Sequence, residues 1–275
     1  MAAGVPMIVH FIGNAGTGKT TLIVKVAAQG GYTMPPMGFR RILSPADWML
    51  PIALPLVWPI GCKLSTCNRK GNKGPGPWAW TGTVAMQSAR RWALPSGKVR
   101  LIDHGMTNML RKHTNESAGS ILDDLPLPDI VVNVIASQAV RKARIMTRHK
   151  PDHMASQYRT GVRALEVGGR FARQWLALFG PEEAMHCLRA WSRWECRPEL
   201  EEKELRSLLA HAQETPLDVQ DKMALSCEPL PERWRWLHDG YVERGVKWIN
   251  VVNDGREPPE VHASRIVETI RRWRA

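Results

Sequence analysis

Residues 13 to 20 read Gly13-Asn14-Ala15-Gly16-Thr17-Gly18-Lys19-Thr20. The spacing is that of the phosphate-binding loop G-x-x-x-x-G-K-[ST]. This motif constrains the fold because it works only between a strand and a helix, with the N–H groups of the first helical turn aimed at an anion. Both neighbours are present. "MIVHFI", Met7 to Ile12, reads as a short buried strand, and "KTTLIVKVAAQ", Lys19 to Gln29, as a helix stopped by Gly30-Gly31. Backbone N–H groups from Asn14 to Thr20 are expected to surround a β-phosphate, with Lys19 between the β- and γ-phosphates and the Thr20 hydroxyl on Mg²⁺. The expected ligands are ATP and Mg²⁺. The expected contacts are Gly13, Asn14, Ala15, Gly16, Thr17, Gly18, Lys19, Thr20 and Thr21.

The rest of the chain alternates apolar runs with helical patterns. Val99 to Ile102 forms a short strand ending at Asp103. "PDIVVNVIAS", Pro128 to Ser137, and "VKWINVVND", Val246 to Asp254, read as further buried strands. Helices are expected at Thr83 to Leu94, after Ser137, and from Val261 to Trp273, where Val261, Ile266, Ile270 and Trp273 share roughly one face. Strands alternating with helices imply an α/β fold, a parallel sheet covered on both sides in three layers. Almost every stretch between residues 152 and 232 looks helical. The expected organisation is a phosphate-loop core over 1–151 including a lid helix, a helical insertion over 152–232, and a return to the core over 233–275.

A net charge of +12 favours polyanionic partners such as nucleotides, nucleic acid or an anionic membrane face, without choosing among them. Apolar residues at 44% are enough for a packed core. Five cysteines in a chain this long do not suggest a disulfide framework. The N-terminal residues have no basic n-region, so no signal peptide is expected and a cytoplasmic location is. "WMLPIALPLVWPIG", Trp48 to Gly61, is too short to span a bilayer, and Pro51, Pro55 and Pro59 are expected to break any helix. It reads as a buried extended segment or the wall of an apolar pocket, with membrane-surface contact as a minor alternative.

Asp103, at a strand end, is the expected carboxylate beside the Thr20-bound metal. The residue after it is His104. ATPases that move nucleic acid usually place a Glu there to polarise water, so "IDHG" favours transfer to a substrate over hydrolysis. On the helix after Ser137, Arg141, Arg144 and Arg148 lie three and four residues apart and share a face. They read either as stabilisers of a transferring phosphoryl group or as a solvated basic face. Arg144 and Arg148 are the preferred catalytic candidates.

With these elements in place the chain resembles the P-loop nucleoside and nucleotide monophosphate kinases of the thymidylate kinase and deoxynucleoside kinase group. The similar stretches are "GNAGTGKTT", "SARRWALPSGKVRLIDHG", "PDIVVNVIASQAVRKARIMTRHKPDH" and "WINVVNDGREPPEVHASRIVETI". The resemblance implies that Arg90 or Arg91 holds the acceptor, with His104 where the family usually has Arg. It implies that Asp103 organises Mg²⁺ and that Arg144 and Arg148 close over the transferred phosphate. Asn253, Gly255 and Arg256 would lie against the adenine. The acidic residue those kinases carry after their second strand has only Asp47 as a weak counterpart.

The function these readings favour is Mg·ATP-dependent phosphoryl transfer to a nucleoside or nucleotide. The alternatives are a nucleic-acid-stimulated ATPase and a nucleotide-binding switch. For the ATPase, the basic segment 68–77 flanked by Trp78 and Trp80 would be a base-stacking surface. Cys62, Cys67, His186, Cys187 and Cys196 form a weaker zinc reading, against buried free thiols.

Overall fold

The computed structural model describes residues 6–14, 16–34, 49–67, 75–103, 105–146, 161–195, 200–217, 225 and 232–274. The strands are β1 (Met7–Gly13), β2 (Val99–Asp103), β3 (Ile130–Ile135) and β4 (Lys247–Val252). The helices in chain order are α1 (Lys19–Gly30), α2 (Leu50–Thr66), α3 (Pro77–Trp92), α4 (Met106–His113), α5 (Gln138–Met146), α6 (Gly161–Phe179), α7 (Pro181–Glu195), α8 (Glu202–Glu214), α9 (Glu232–Glu243) and α10 (Pro259–Arg274). A 3-10 segment, Glu116–Asp124, precedes β3.

The strands form one all-parallel sheet in the order β2-β1-β3-β4, so the fold is α/β as the alternation predicts. Thr33 adds a single parallel bridge to Arg100 on the outer side of β2, with its N–H donating to the Val99 carbonyl at 3.1 Å. β1 and β3 are buried along their whole length because both faces of the sheet are covered. On one face Val9, Phe11 and Val132 pack with Leu22, Ile23, Ile266 and Ile270 of α1 and α10. On the other, Ile12 and Val131 pack with Trp80, Val84, Leu110, Leu237 and Tyr241. β4 departs from the fully buried strand read in the sequence. Among the described residues it is the sheet edge, with β3 as its neighbour, and Val252 is 54% exposed.

The segment from Trp48 to Gly61 corrects a second expectation. It is not extended: α2 runs through Pro55 and Pro59. Spacing by four puts Pro51, Pro55 and Pro59 on one helical face, and all three are exposed. The carbonyls that lose an intrahelical partner therefore face water instead of the core. Ala53, Val57, Gly61 and Leu64 form the opposite, buried face against α3. A side chain at Gly61 would collide with Thr81 of α3, so the missing Cβ sets the close approach of the two helices. α3 also begins earlier than read, at Pro77, whose absent N–H and fixed φ suit the first helical turn.

α6, α7 and α8 pack around their own apolar cluster, which includes Trp175, Leu188, Leu205 and Leu209. Residues 147–160, across the expected start of the insertion, and 218–224 and 226–231, leading to its expected end at 232, lie outside the described residues.

β1 also carries a buried polar chain. His10 is fully buried; its Nδ1 lies 2.6 Å from Thr107 Oγ1, and Gln87 Nε2 donates to its Nε2 at 2.8 Å. The Thr107 and Tyr241 hydroxyls are 3.2 Å apart. One imidazole thus ties β1 to α3, α4 and α9. Burial pushes its pKa from 6.5 down to about 3, and the Arg90 and Arg91 charges push the same way. The unfolded chain then takes up a proton near pH 6.5 that the folded chain refuses until about pH 3. Folding stability should fall as pH drops through that window, by at most about 1.4 kcal/mol per pH unit from this group. Urea titrations at pH 7 and pH 5 should show the loss, and His10→Asn should flatten it; an unchanged slope would remove His10 from the account.

Candidate functional site

The glycine loop joins the C-terminal end of β1 to α1. Gly13 has φ +155, and a Cβ there would stand 2.6 Å from the Val134 carbonyl of the neighbouring strand. Gly16 has φ +80 and a Cβ there would stand 2.8 Å from the Arg141 carbonyl. Any other residue at either position is both strained and obstructed. Thr17 is buried, and its hydroxyl donates to the Asn14 carbonyl at 3.0 Å, closing the loop on itself. Gly18 is the residue before α1, so the loop ends on free helical N–H groups.

Sheet register brings the strand-end carboxylate to this loop. Phe11 of β1 pairs with Asp103 of β2, two residues before Gly13. Lys19, 5% exposed, donates to Asp103 Oδ1 in a close ion pair, while Thr20 Oγ1 lies 3.5 Å from Asp103 Oδ2. Thr20 and Thr21 are exposed at the loop mouth. Lys19, Thr20 and Asp103 are therefore gathered as the spacing predicts. A hydroxyl and a carboxylate, both hard oxygen donors, fit one side of a Mg²⁺ shell whose remaining positions are filled by phosphate and water.

A second layer holds the loop from its carbonyl side. Arg144 of α5 donates from Nη1 to the Thr17 carbonyl at 3.0 Å and from Nη2 to Asn253 Oδ1 at 3.2 Å. Asn253 Nδ2 donates to the same Thr17 carbonyl at 2.9 Å. Desolvation lowers the Arg144 pKa, with Asp254 opposing the shift. The solvated basic face is thereby ruled out for Arg141 and Arg144: Arg141 is 2% exposed and donates to the Leu225 carbonyl at 3.2 Å. The Arg144 guanidinium grips the loop through the Gly16 and Thr17 carbonyls. Gly255 stands next to Arg144, a Cβ there coming 4.0 Å from Nη2, and Arg256 is exposed.

Arg91 corrects another expectation. It donates to the Leu127 carbonyl at 2.5 Å and to Asp129 Oδ2 at 3.1 Å, and Asp129 also accepts from the Ile8 N–H at 2.6 Å. These partners stand at the N-terminal ends of β3 and β1, about 15–20 Å from the loop by strand rise. Arg90 neighbours it at the end of α3, its carbonyl accepting from Arg100 at 3.3 Å. Neither is brought to the loop. Ala15, His104 and Arg148 lie outside the described residues, as do Asp47 and Cys196.

Arg111 was missed by the sequence reading. It lies on α4, is 2% exposed, and lines a narrow crevice of about 10 Å³ with Gly13, Asn14, Thr17 and Arg141. Its Nη2 donates to Asn108 Oδ1 at 2.9 Å and reaches Asn14 Oδ1 at 3.4 Å, and its guanidinium lies 4.3 Å from the Trp234 ring centre. Burial pushes its pKa down to about 10, so it remains a cation at neutral pH. The one sequence signal was its place, one turn into the helix that follows the metal-side strand.

The other sequence candidates separate. Trp80 is fully buried and Trp78 is 74% exposed, so the two do not form a stacking surface together. Cys187 is buried in the α6–α8 cluster, whereas Cys62 and Cys67 belong to α2 and its C-cap. Among the described residues no group of three or more His, Cys, Asp or Glu gathers as a metal site, and no helix is long and apolar enough to cross a membrane.

Parallel strands, a glycine loop under α1 and a carboxylate on the adjacent strand end define a P-loop α/β fold. No protein-family model matches the chain, and no curated protein matches it by sequence. Among solved structures it is similar to deoxyadenosine kinase from M. mycoides with bound dATP, at a TM-score of 0.35 and 11% identity over 96% of this chain and 99% of that one. The same enzyme with bound dCTP gives 0.34 and 9% over 96% and 99%. At such low scores and identities the likeness assigns no role to any residue.

Proposed function

We propose that the chain transfers the γ-phosphoryl group of Mg·ATP to a nucleoside or nucleoside monophosphate. The observation that carries the proposal is the Lys19–Asp103–Thr20 cluster at the mouth of a glycine loop on α1. With nucleotide bound, Lys19 would exchange Asp103 for the phosphates, leaving Asp103 and Thr20 to hold Mg²⁺. The ion would neutralise charge on the phosphates when present. The loop N–H groups and Lys19 bind and orient the phosphates, and the α1 N-terminus favours their charge. Asn253 and Arg144 keep the loop in shape. Arg111, at the crevice beside Asn14, would supply positive charge toward the acceptor side, in place of Arg90 or Arg91. Arg148 remains a candidate for closing over the transferred group. Transfer is favoured over hydrolysis because His104, not Glu, follows Asp103.

The net charge of +12 supports the second reading, an ATPase acting on nucleic acid. One assay separates them: γ-labelled ATP and Mg²⁺ with a mixed pool of nucleosides and nucleoside monophosphates, with and without single-stranded DNA. Label in a nucleotide product is the expected result. Label released only as inorganic phosphate, faster with DNA, would replace the kinase by the ATPase.

A further inference from the structure

We propose that His10 is a positioning residue for the phosphoryl acceptor: its imidazole sets the rotation of α4 and so the place of Arg111 beside the phosphate loop. This role rests on the function proposed above, in which Arg111 serves the acceptor side. From Met7 to Ile12, β1 is apolar except at His10. His10 is fully buried, and an aliphatic side chain would fill its place without the cost of desolvating an imidazole. Apolar packing has no preferred direction, whereas a fully satisfied buried polar network selects one arrangement of the parts it joins. Direction is therefore what the imidazole adds.

The ring sits under the turn that leaves the metal-side strand. His10 is in register with Ile102, and the next residue, Phe11, with Asp103. Gly105, the residue before α4, rests on the ring: a Cβ there would stand 2.9 Å from both Cε1 and Nε2 of His10. Two residues on, the Thr107 hydroxyl lies 2.6 Å from Nδ1. Gln87 of α3 donates to Nε2 at 2.8 Å, which leaves Nδ1 as the N–H that donates to Thr107. Thr107 and Arg111 are four residues apart on one face of α4, and both are buried. The bond at Thr107 thus fixes which way that face turns. One turn further on, Arg111 donates to Asn108 Oδ1 at 2.9 Å and reaches Asn14 Oδ1 at 3.4 Å. The phosphate loop is held separately, by Arg144 and Asn253 on the Thr17 carbonyl. Loss of the Thr107 bond should therefore reach the acceptor side and spare ATP.

Two variants separate the ring nitrogens. In His10→Asn the amide takes the place of Nδ1 and keeps the bond to Thr107; in His10→Gln it takes the place of Nε2 and keeps the bond to Gln87. Each loses one bond and part of the ring, so similar stabilities are expected in urea unfolding. The probe is γ-labelled Mg·ATP with the mixed pool of nucleosides and nucleoside monophosphates. His10→Gln should lose about 10–10²-fold in kcat/KM for the pool, the scale of a misplaced group, and His10→Asn much less, while KM for ATP holds in both. Thr107→Val should reproduce the His10→Gln defect. Amide hydrogen exchange should be faster across Met106–His113 in His10→Gln than in His10→Asn, and alike across α1. Equal transfer by the two variants, or rates that follow their stabilities, would reduce His10 to a core residue and overturn the proposal. No transfer by the parent would overturn the proposed function instead. Hydrogen exchange then decides for His10 alone: faster exchange of α4 in His10→Gln sustains its hold on α4, and equal exchange overturns it.

Discussion

Lys19→Ala should abolish ATP turnover, with kcat/KM falling by at least about 10²–10³-fold, the loss that follows removal of one transition-state donor. The loss should be larger for a full charge placed between phosphates. The same substitution should also touch stability, because Lys19 is 5% exposed and paired with Asp103. Deleting one member of a buried pair strands the other, at a cost of up to roughly 3–5 kcal/mol. Asp103 keeps 17% of its side-chain exposure and has Thr20 within 3.5 Å, so a cost at or below the lower end is expected. The double variant Lys19→Ala/Asp103→Asn separates the two effects. It should recover stability, since no uncompensated charge remains, and stay inactive. Steady-state kinetics and urea unfolding on the same samples read both. Normal turnover in Lys19→Ala would sink the whole site, whatever happened to stability.

The parts of this site legible in the sequence are those fixed by short-range geometry. A loop of eight residues between a strand and a helix specifies where Gly13, Gly16, Lys19 and Thr20 must sit, and Asp103 follows because parallel strands share one C-terminal edge. What failed depended on partners far along the chain. Arg91 was given to the acceptor by resemblance to an arginine-bearing kinase helix, but the sequence does not say that Asp129, at the start of β3, would hold it at the other end of the sheet. Arg111 left no motif because a buried arginine looks like any basic residue on a short amphipathic helix. Its burial comes from Trp234 and Asn14, each about a hundred residues away or more. The proline rule misled at α2 for another reason. It counts lost hydrogen bonds without asking which face loses them, and here that face meets water. β4 read as buried because its composition matches β3, while its edge position is set by topology alone.

Arg144→Ala should weaken ATP binding by about 10–100-fold and slow the transfer step much less. Its hydrogen bonds run to the Thr17 carbonyl and to Asn253 Oδ1. Hydrogen bonds from a charged donor contribute about 1.5–3 kcal/mol each, and these hold the backbone in the one shape that aims its N–H groups at phosphate. Without them the loop must be ordered at the moment of binding, a cost that appears in Kd. Asn253→Ala should act in the same direction but more weakly, because Arg144 still reaches the Thr17 carbonyl. The pair should also be non-additive in a double-mutant cycle, since both act on one oxygen. Arg144→Lys should recover little, as one ammonium cannot span the Thr17 carbonyl and Asn253 together. Equilibrium nucleotide binding alongside single-turnover transfer distinguishes the roles. A variant with unchanged Kd and a transfer rate reduced by orders of magnitude would return Arg144 to the phosphate side and make the loop grip incidental.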